Sequence, residues 1–249
     1  MVAQGSVQVS GGHGTSHKVH FDWYDNDYDD DDPYDMTRLD GKLTVKDEDN
    51  QDETPPKYSE QTRKMIKRMD ESKINYDLIL DLLDYICIRS QDEHNHSVPD
   101  TGAILVFLPG MPEIRRLYDM VAAHHILGDA SKYILIALHS TLSSEHQERA
   151  FDVPPKGMRK IVLSTNIAET GVTISDVTVV IDTGMAKIVS YDQKRRITRL
   201  RQSFIAKANA RQRRGRAGRV QEGLCFHLFT ENKYMQVHVT HTIGLLLLC

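Results

Sequence analysis

From position 103 onward the apolar residues gather into short unbroken runs, with polar stretches of helical length between them. Ala103-Ile104-Leu105-Val106-Phe107, Ile134-Leu135-Ile136-Ala137-Leu138, Lys160-Ile161-Val162-Leu163-Ser164 and Val177-Thr178-Val179-Val180-Ile181 are the first four runs. Runs this short and without alternation predict strands covered on both faces, the habit of parallel sheets. Pro112 suits the first turn of a helix reaching to about Leu127. Ser144 with Gln147 has the pattern of a capping box for the next helix. A polar strand pair is predicted over 187–199, a helix from Ser203 to about Arg213, and a last strand through Leu224-Cys225-Phe226-His227-Leu228-Phe229. This alternation predicts an α/β fold: a parallel sheet with right-handed crossovers and helices on both faces. Ligands on such sheets bind at the carboxyl ends of the strands, so the chemistry is expected there.

Upstream the period changes. Leu78, Ile79, Leu82, Leu83 and Ile86 recur at helical spacing, with Asp77, Asp81 and Asp84 on the other side and Asn75 placed to cap. Ser59 can cap an earlier helix through Thr62-Arg63-Lys64-Met65-Ile66. Residues 1–57 are poor in apolar positions, with a Gly/Ser stretch near 5–14 and the run Asp29-Asp30-Asp31-Asp32. They bury too little surface to offset chain entropy and are expected to be disordered. The chain thus divides into a disordered acidic N-terminal segment (1–57), a helical linker (58–98), the α/β domain (99–236) and an atypical tail (237–249).

Charge sharpens this division. Positions 21–55 hold 14 acidic and 3 basic residues, whereas 156–219 hold 15 basic and 4 acidic. The net charge of -4 hides a basic half suited to a polyanion. No apolar run is long enough to span a bilayer, so no membrane partner is expected. Cys87, Cys225 and Cys249 are scattered without metal-ligand spacing. They read as small apolar residues with reduced thiols, in an intracellular compartment. The cytoplasm is expected, with the nucleus as the alternative.

The candidate chemistry lies in the basic half. Gln212-Arg213-Arg214-Gly215-Arg216-Ala217-Gly218-Arg219 ends a predicted helix, and its guanidinium forks are separated by small residues that let a second surface approach. Ser164-Thr165-Asn166-Ile167-Ala168-Glu169-Thr170-Gly171-Val172-Thr173-Ile174 follows the third strand as a polar loop. Leu108-Pro109-Gly110 and Leu138-His139-Ser140-Thr141-Leu142 follow the first two strands. His139 reads as a satisfied turn histidine.

These segments, in this order, resemble the second RecA-like domain of the DEAH/RHA (DExH-box) ATP-dependent RNA helicases over about 58–234. The linker Lys73-Ile74-Asn75-Tyr76-Asp77 is similar to that of RHA-like members linked to translation. The resemblance implies a RecA-like fold and a catalytic role for Gln212, Arg216 and Arg219, the two arginines acting as fingers on a transferring phosphoryl group. It places Thr173, Asp176, Gly171 and Arg213 on the nucleotide side, with Arg213 either phosphate-facing or structural. RNA-backbone contact is implied for Thr165, Asn166, Ser140 and Gly110. It is implied as well for Lys194, Arg195 and Arg196 in the place of the family's β-hairpin, to whose charge Lys187 and Arg199 add. Gly171 departs from the pattern, since most members have serine there.

A helicase also needs a Walker A loop and an acidic Walker B strand. The 249 residues contain no GxxxxGK[ST], and Asp92-Glu93-His94-Asn95-His96 has Asn where a DExH box has His. The resemblance therefore implies that ATP with Mg2+ is held mainly by a first RecA-like domain these residues lack, and that no metal site is built here. Expected partners are RNA, that first domain, a downstream winged-helix region and ribonucleoprotein or ribosomal components. Alone the chain is expected to turn over no ATP. The alternative is a catalytically inactive RNA-binding or regulatory fragment.

Overall fold

The structure is a computed structural model and describes residues 4–11, 15–22, 59–89, 98–170, 173–192, 196–219 and 222–237. The chain divides into two units, Met1–Lys64 and Met65–Cys249. In the first, β1 (Gln4–Gly11) and β2 (Thr15–Asp22) pair antiparallel, with Val7 opposite Val19. No strand was expected there. Val7, Val9, Val19 and Phe21 nevertheless recur at every second position, the period of a strand. The rest of 1–57, the DExH-like stretch and 238–249 lie outside the described residues.

Helix α1 (Glu60–Arg68) starts where Ser59 Oγ accepts the Thr62 N–H at 3.2 Å, and none of its residues is buried. Helix α2 (Tyr76–Asp84) is capped as its sequence predicts: Asn75 Oδ1 accepts the Leu78 N–H at 3.0 Å. A π-helical turn, Tyr85–Arg89, continues it.

The second unit is built on five parallel strands in the order β4-β5-β3-β6-β9. These are β3 (Ala103–Phe107), β4 (Tyr133–Leu138), β5 (Arg159–Ser164), β6 (Val177–Asp182) and β9 (Leu224–His227). Central β3 is buried at every residue, as its unbroken apolar run requires. Burying a side chain of this size contributes about 1.5–3 kcal/mol. On one face Ile104, Val106, Ile161, Leu163, Val179 and Ile181 pack against Ile79 and Leu83 of α2 and Ile114, Leu117 and Val121 of α3 (Met111–Ala123). On the other, Leu105, Phe107, Val162 and Val180 pack against Ala150 and Ala168. Ala150 follows α4 (Ser144–Glu148), and Ala168 lies in α5 (Ile167–Thr170). An antiparallel hairpin, β7 (Met185–Asp192) with β8 (Ile197–Phe204), leads into α6 (Lys207–Arg214), and α7 (Glu231–Gln236) follows β9.

Three boundaries differ from expectation. Helix α3 stops at Ala123, because His124 Nδ1 takes the N–H groups of Ile126 and Leu127 and turns the chain. Ser143, not Ser144, stands at the cap of α4, and Gln147 donates to the Leu142 carbonyl instead of closing a capping box. Ser203 belongs to β8 opposite Ala186, so α6 begins later, at Lys207.

Candidate functional site

Parallel register aligns the strand ends. Phe107, Leu138, Ser164, Asp182 and His227 form one row along the carboxyl edge. Just beyond that row come Gly110, Ser140, Thr165 and Asn166. Ser140 and Asn166 are exposed, as a backbone-contacting residue requires. Thr165 is only 5% exposed and Gly110 is buried, so neither presents a surface in this conformation. His139 is a turn histidine, its Nδ1 accepting the Thr141 N–H at 3.2 Å. Arg196 is exposed in the hairpin turn with φ 55°, whereas Lys194, Arg195 and Gly171 lie outside the described residues.

The arginine turn is elsewhere. Beyond α6 the chain descends the sheet face toward the opposite edge. A Cβ added to Gly223 would stand 2.7 Å from Gly218 N, 2.7 Å from the Thr178 carbonyl and 2.9 Å from Ala217 Cβ. This close approach fixes Ala217 and Gly218 beside the amino ends of β6 and β9. Asp176 is on that edge too, its carbonyl accepting the Ala103 N–H at 2.7 Å. The expectation that all the chemistry sits at the carboxyl ends is thereby corrected. The chain returns from β5 through α5 and crosses the face before β6 starts, so one motif spans both edges.

At this amino-side cluster Arg219 Nη1 donates to Thr173 Oγ1 at 2.7 Å, and both residues are exposed. Arg216 Nη2 donates to the Glu169 carbonyl. The Arg216 guanidinium is lowered from its ordinary value, by partial burial first and then by the charge of Arg219, with Glu169 opposing. Two neighbouring guanidiniums beside a hydroxyl are donors of the kind that suit phosphate oxygens. Gln212 is exposed on α6, one turn before Arg216. The Asp176 carboxylate is committed: Lys160 Nζ stands 2.9 Å from its Oδ1.

Arg213 corrects the phosphate-facing half of its assignment. It is wholly buried, with Nε donating to Glu169 Oε1 at 2.6 Å and Nη1 to Asp182 Oδ1 at 2.8 Å and the Met185 carbonyl at 3.1 Å. Its guanidinium carbon lies 4.7 Å from the Phe107 ring centre. It is a structural peg under the arginine turn. Burial alone would raise the Asp182 carboxyl, but Arg213, His227 and the Gly184 N–H hold it below the ordinary value of 3.8.

Four residues that sequence reading passed over complete the site. Glu169 is buried and also takes Asn209 Nδ2 at 2.9 Å, while Asp182 ends an apolar strand wholly buried. Lys160, 1% exposed, donates to the Ala150 and Asp152 carbonyls at 2.8 Å each. Arg159 donates to the carbonyls of Gly102, Ile86 and Pro99 at 3.1, 3.2 and 2.7 Å. A charged residue inside or against an apolar run was the available signal, since such a group demands a partner.

Comparison with known proteins agrees with this fold. Residues 81–221 match the family described as helicase conserved C-terminal domain. Over 178 residues the chain is 49% identical to ATP-dependent RNA helicase dhx29 of Xenopus laevis, which covers 72% of this chain and 13% of that protein. Over 173 residues it is 46% identical to putative ATP-dependent RNA helicase DHX57 of Homo sapiens, covering 69% and 12%. Among solved structures, E. coli DExH-box NTPase HrpB superposes with a TM-score of 0.51 at 32% identity, over 63% of this chain and 18% of that one. The chain therefore spans about an eighth of the curated relatives it matches.

Proposed function

The chain belongs to the helicase C-terminal domain family of the DEAH/RHA RNA helicases, and from that membership we propose that it works as the second RecA-like half of an ATP-dependent RNA helicase. In this reading Arg216 and Arg219 reach onto the triphosphate of an ATP gripped by another RecA-like domain, and Gln212 positions the attacking water. The observation that carries it is the clustering of Arg216 and Arg219 in one turn, with the Arg219 charge felt at Arg216 and the Thr173 hydroxyl 2.7 Å from Arg219 Nη1. ATP supplies the phosphoryl group, and fixed positive charge stabilises the charge that develops as it leaves. Mg2+ fits this half poorly, because the Asp176 carboxylate already faces Lys160. The gripping domain is the proposed holder of the metal.

RNA is proposed to follow the carboxyl edge past Ser140 and Asn166, with Arg196 on the hairpin adding charge. Contacts of this kind go to phosphates, so binding is sequence-tolerant and salt-sensitive. The absence of GxxxxGK[ST] from the 249 residues favours a second reading, an RNA-binding fragment without turnover of its own.

One pair of measurements separates the two. The purified chain alone is expected to show no RNA-stimulated ATP hydrolysis. Joined to a Walker A-bearing RecA-like domain of the same family, it is expected to hydrolyse ATP, and Arg219→Ala is expected to lower kcat roughly 10³-fold while RNA affinity holds. Turnover that survives both Arg216→Ala and Arg219→Ala removes the finger assignment.

A further inference from the structure

Lys187, on β7, reaches from the hairpin to the turn that follows β3. Its Nζ stands 3.7 Å from Glu113 Oε2 in the first turn of α3, with the two side chains 30% and 17% exposed. That separation is longer than a hydrogen bond, and Glu113 Oε2 is buried without a hydrogen-bond partner. The two charges attract, yet they lack the short contact that offsets desolvation. Both close over Gly110, where a Cβ would stand 2.9 Å from Lys187 Nζ and 2.9 Å from Glu113 Oε2. The two side-chain ends thus lie directly over the glycine, whose backbone is covered. The same ammonium is felt at the turn after β4. There the His139 ring is lowered by burial first and then by the Lys187 charge, next to exposed Ser140.

We propose that Lys187 is a phosphate-binding residue of the carboxyl edge and that Glu113 is its internal competitor, the pair forming a latch over Gly110 that an RNA phosphate opens. The proposal rests on the reading of that edge as the RNA path. An ammonium offers three donors, and a phosphate oxygen can approach to full hydrogen-bond distance. Glu113, fixed in the first turn of α3, supplies only the longer attraction. A phosphate that draws Lys187 outward also uncovers the Gly110 backbone. One exchange thus creates two contacts and sets a threshold against weaker polyanions.

The test is anisotropy of a labelled single-stranded oligonucleotide of about 12 nucleotides, titrated with the full chain between about 50 and about 200 mM salt. Lys187→Ala is expected to weaken binding roughly 3- to 10-fold and to reduce the log–log salt slope by about one contact. Glu113→Gln keeps the shape and removes the competitor, so binding is expected to tighten severalfold. Lys187→Arg is expected to retain affinity, which separates loss of charge from loss of fold. The double variant Glu113→Gln/Lys187→Ala is expected to bind no better than Lys187→Ala. An unchanged affinity in Glu113→Gln overturns the latch, as does a gain that persists without Lys187, for then Glu113 acts by general repulsion. A chain that binds RNA at neither salt concentration sinks the RNA-edge reading itself, and the latch with it.

Discussion

At the scale of single residues, the site is governed by who claims each charge. Arg213 sits in a motif whose spacing marks it as an arginine of the phosphate machinery. The acids that bury it come from 44 and 31 positions away, Glu169 and Asp182. No local pattern reports such a distance, which is why the sequence left Arg213 open between a phosphate-facing and a structural role and did not name its partners. Arg213→Ala leaves two carboxylates buried beside one another, and a loss of about 3–5 kcal/mol is expected at neutral pH. The gap has a pH signature. The Asp182 carboxyl is held below 3.8 in the folded chain, so its contribution is complete above that value and is lost as pH falls through the lower folded value. Without Arg213 burial dominates and the carboxyl prefers its proton. Urea midpoints of parent and variant should therefore converge as pH drops below 3.8. A gap that stays constant there assigns the stability to packing instead.

At the scale of elements, helix starts were readable and several stops were not. Asn75 and Ser59 cap through their own side chains onto the N–H three residues on, so a four-residue window holds the whole signal. The end of α3 depends on a histidine ring folding back on the next turn, and the start of α4 on where Gln147 finds a carbonyl. Those choices are made by packing. Attachment of α2 is likewise tertiary. Arg159, at the amino end of β5, bonds the Ile86 carbonyl at the end of that helical stretch and two carbonyls of the loop before β3. Arg159→Leu should release these carbonyls together. Hydrogen exchange over 76–89 is expected to speed up roughly tenfold or more, with 177–182 in the neighbouring strand little changed. Equal acceleration in both segments would mean that Arg159 supports the sheet as a whole.

At the scale of the molecule, the fold class was legible because a strand covered on both faces must read as an unbroken apolar run. The order β4-β5-β3-β6-β9 was not, since pairing of strands far apart in sequence leaves no local trace. That order puts β3 in the middle and hangs one motif across both edges, from Asn166 to Asp176. The two faces of the sheet each contain a thiol. Cys87 packs in the core under α2 and α3, and Cys225 lies against the opposite core, 3.7 Å from His227. Burial pushes the first up to about 11 and the second, with Asp182 adding to it, up to about 12. At neutral pH both are protonated, and a protonated thiol is a poor nucleophile. The protein thus contains a stopwatch for each of its layers. With Cys249→Ser in place, iodoacetamide should leave buried Cys87 unmodified in the native chain and label half-buried Cys225 slowly, and each rate should rise above that level as its own face opens. If the Cys87 and Cys225 rates rise together across a denaturant series, the sheet and its two coverings unfold as one cooperative body. If the Cys225 rate rises first, the layer that holds the arginines opens while the linker side stays shut.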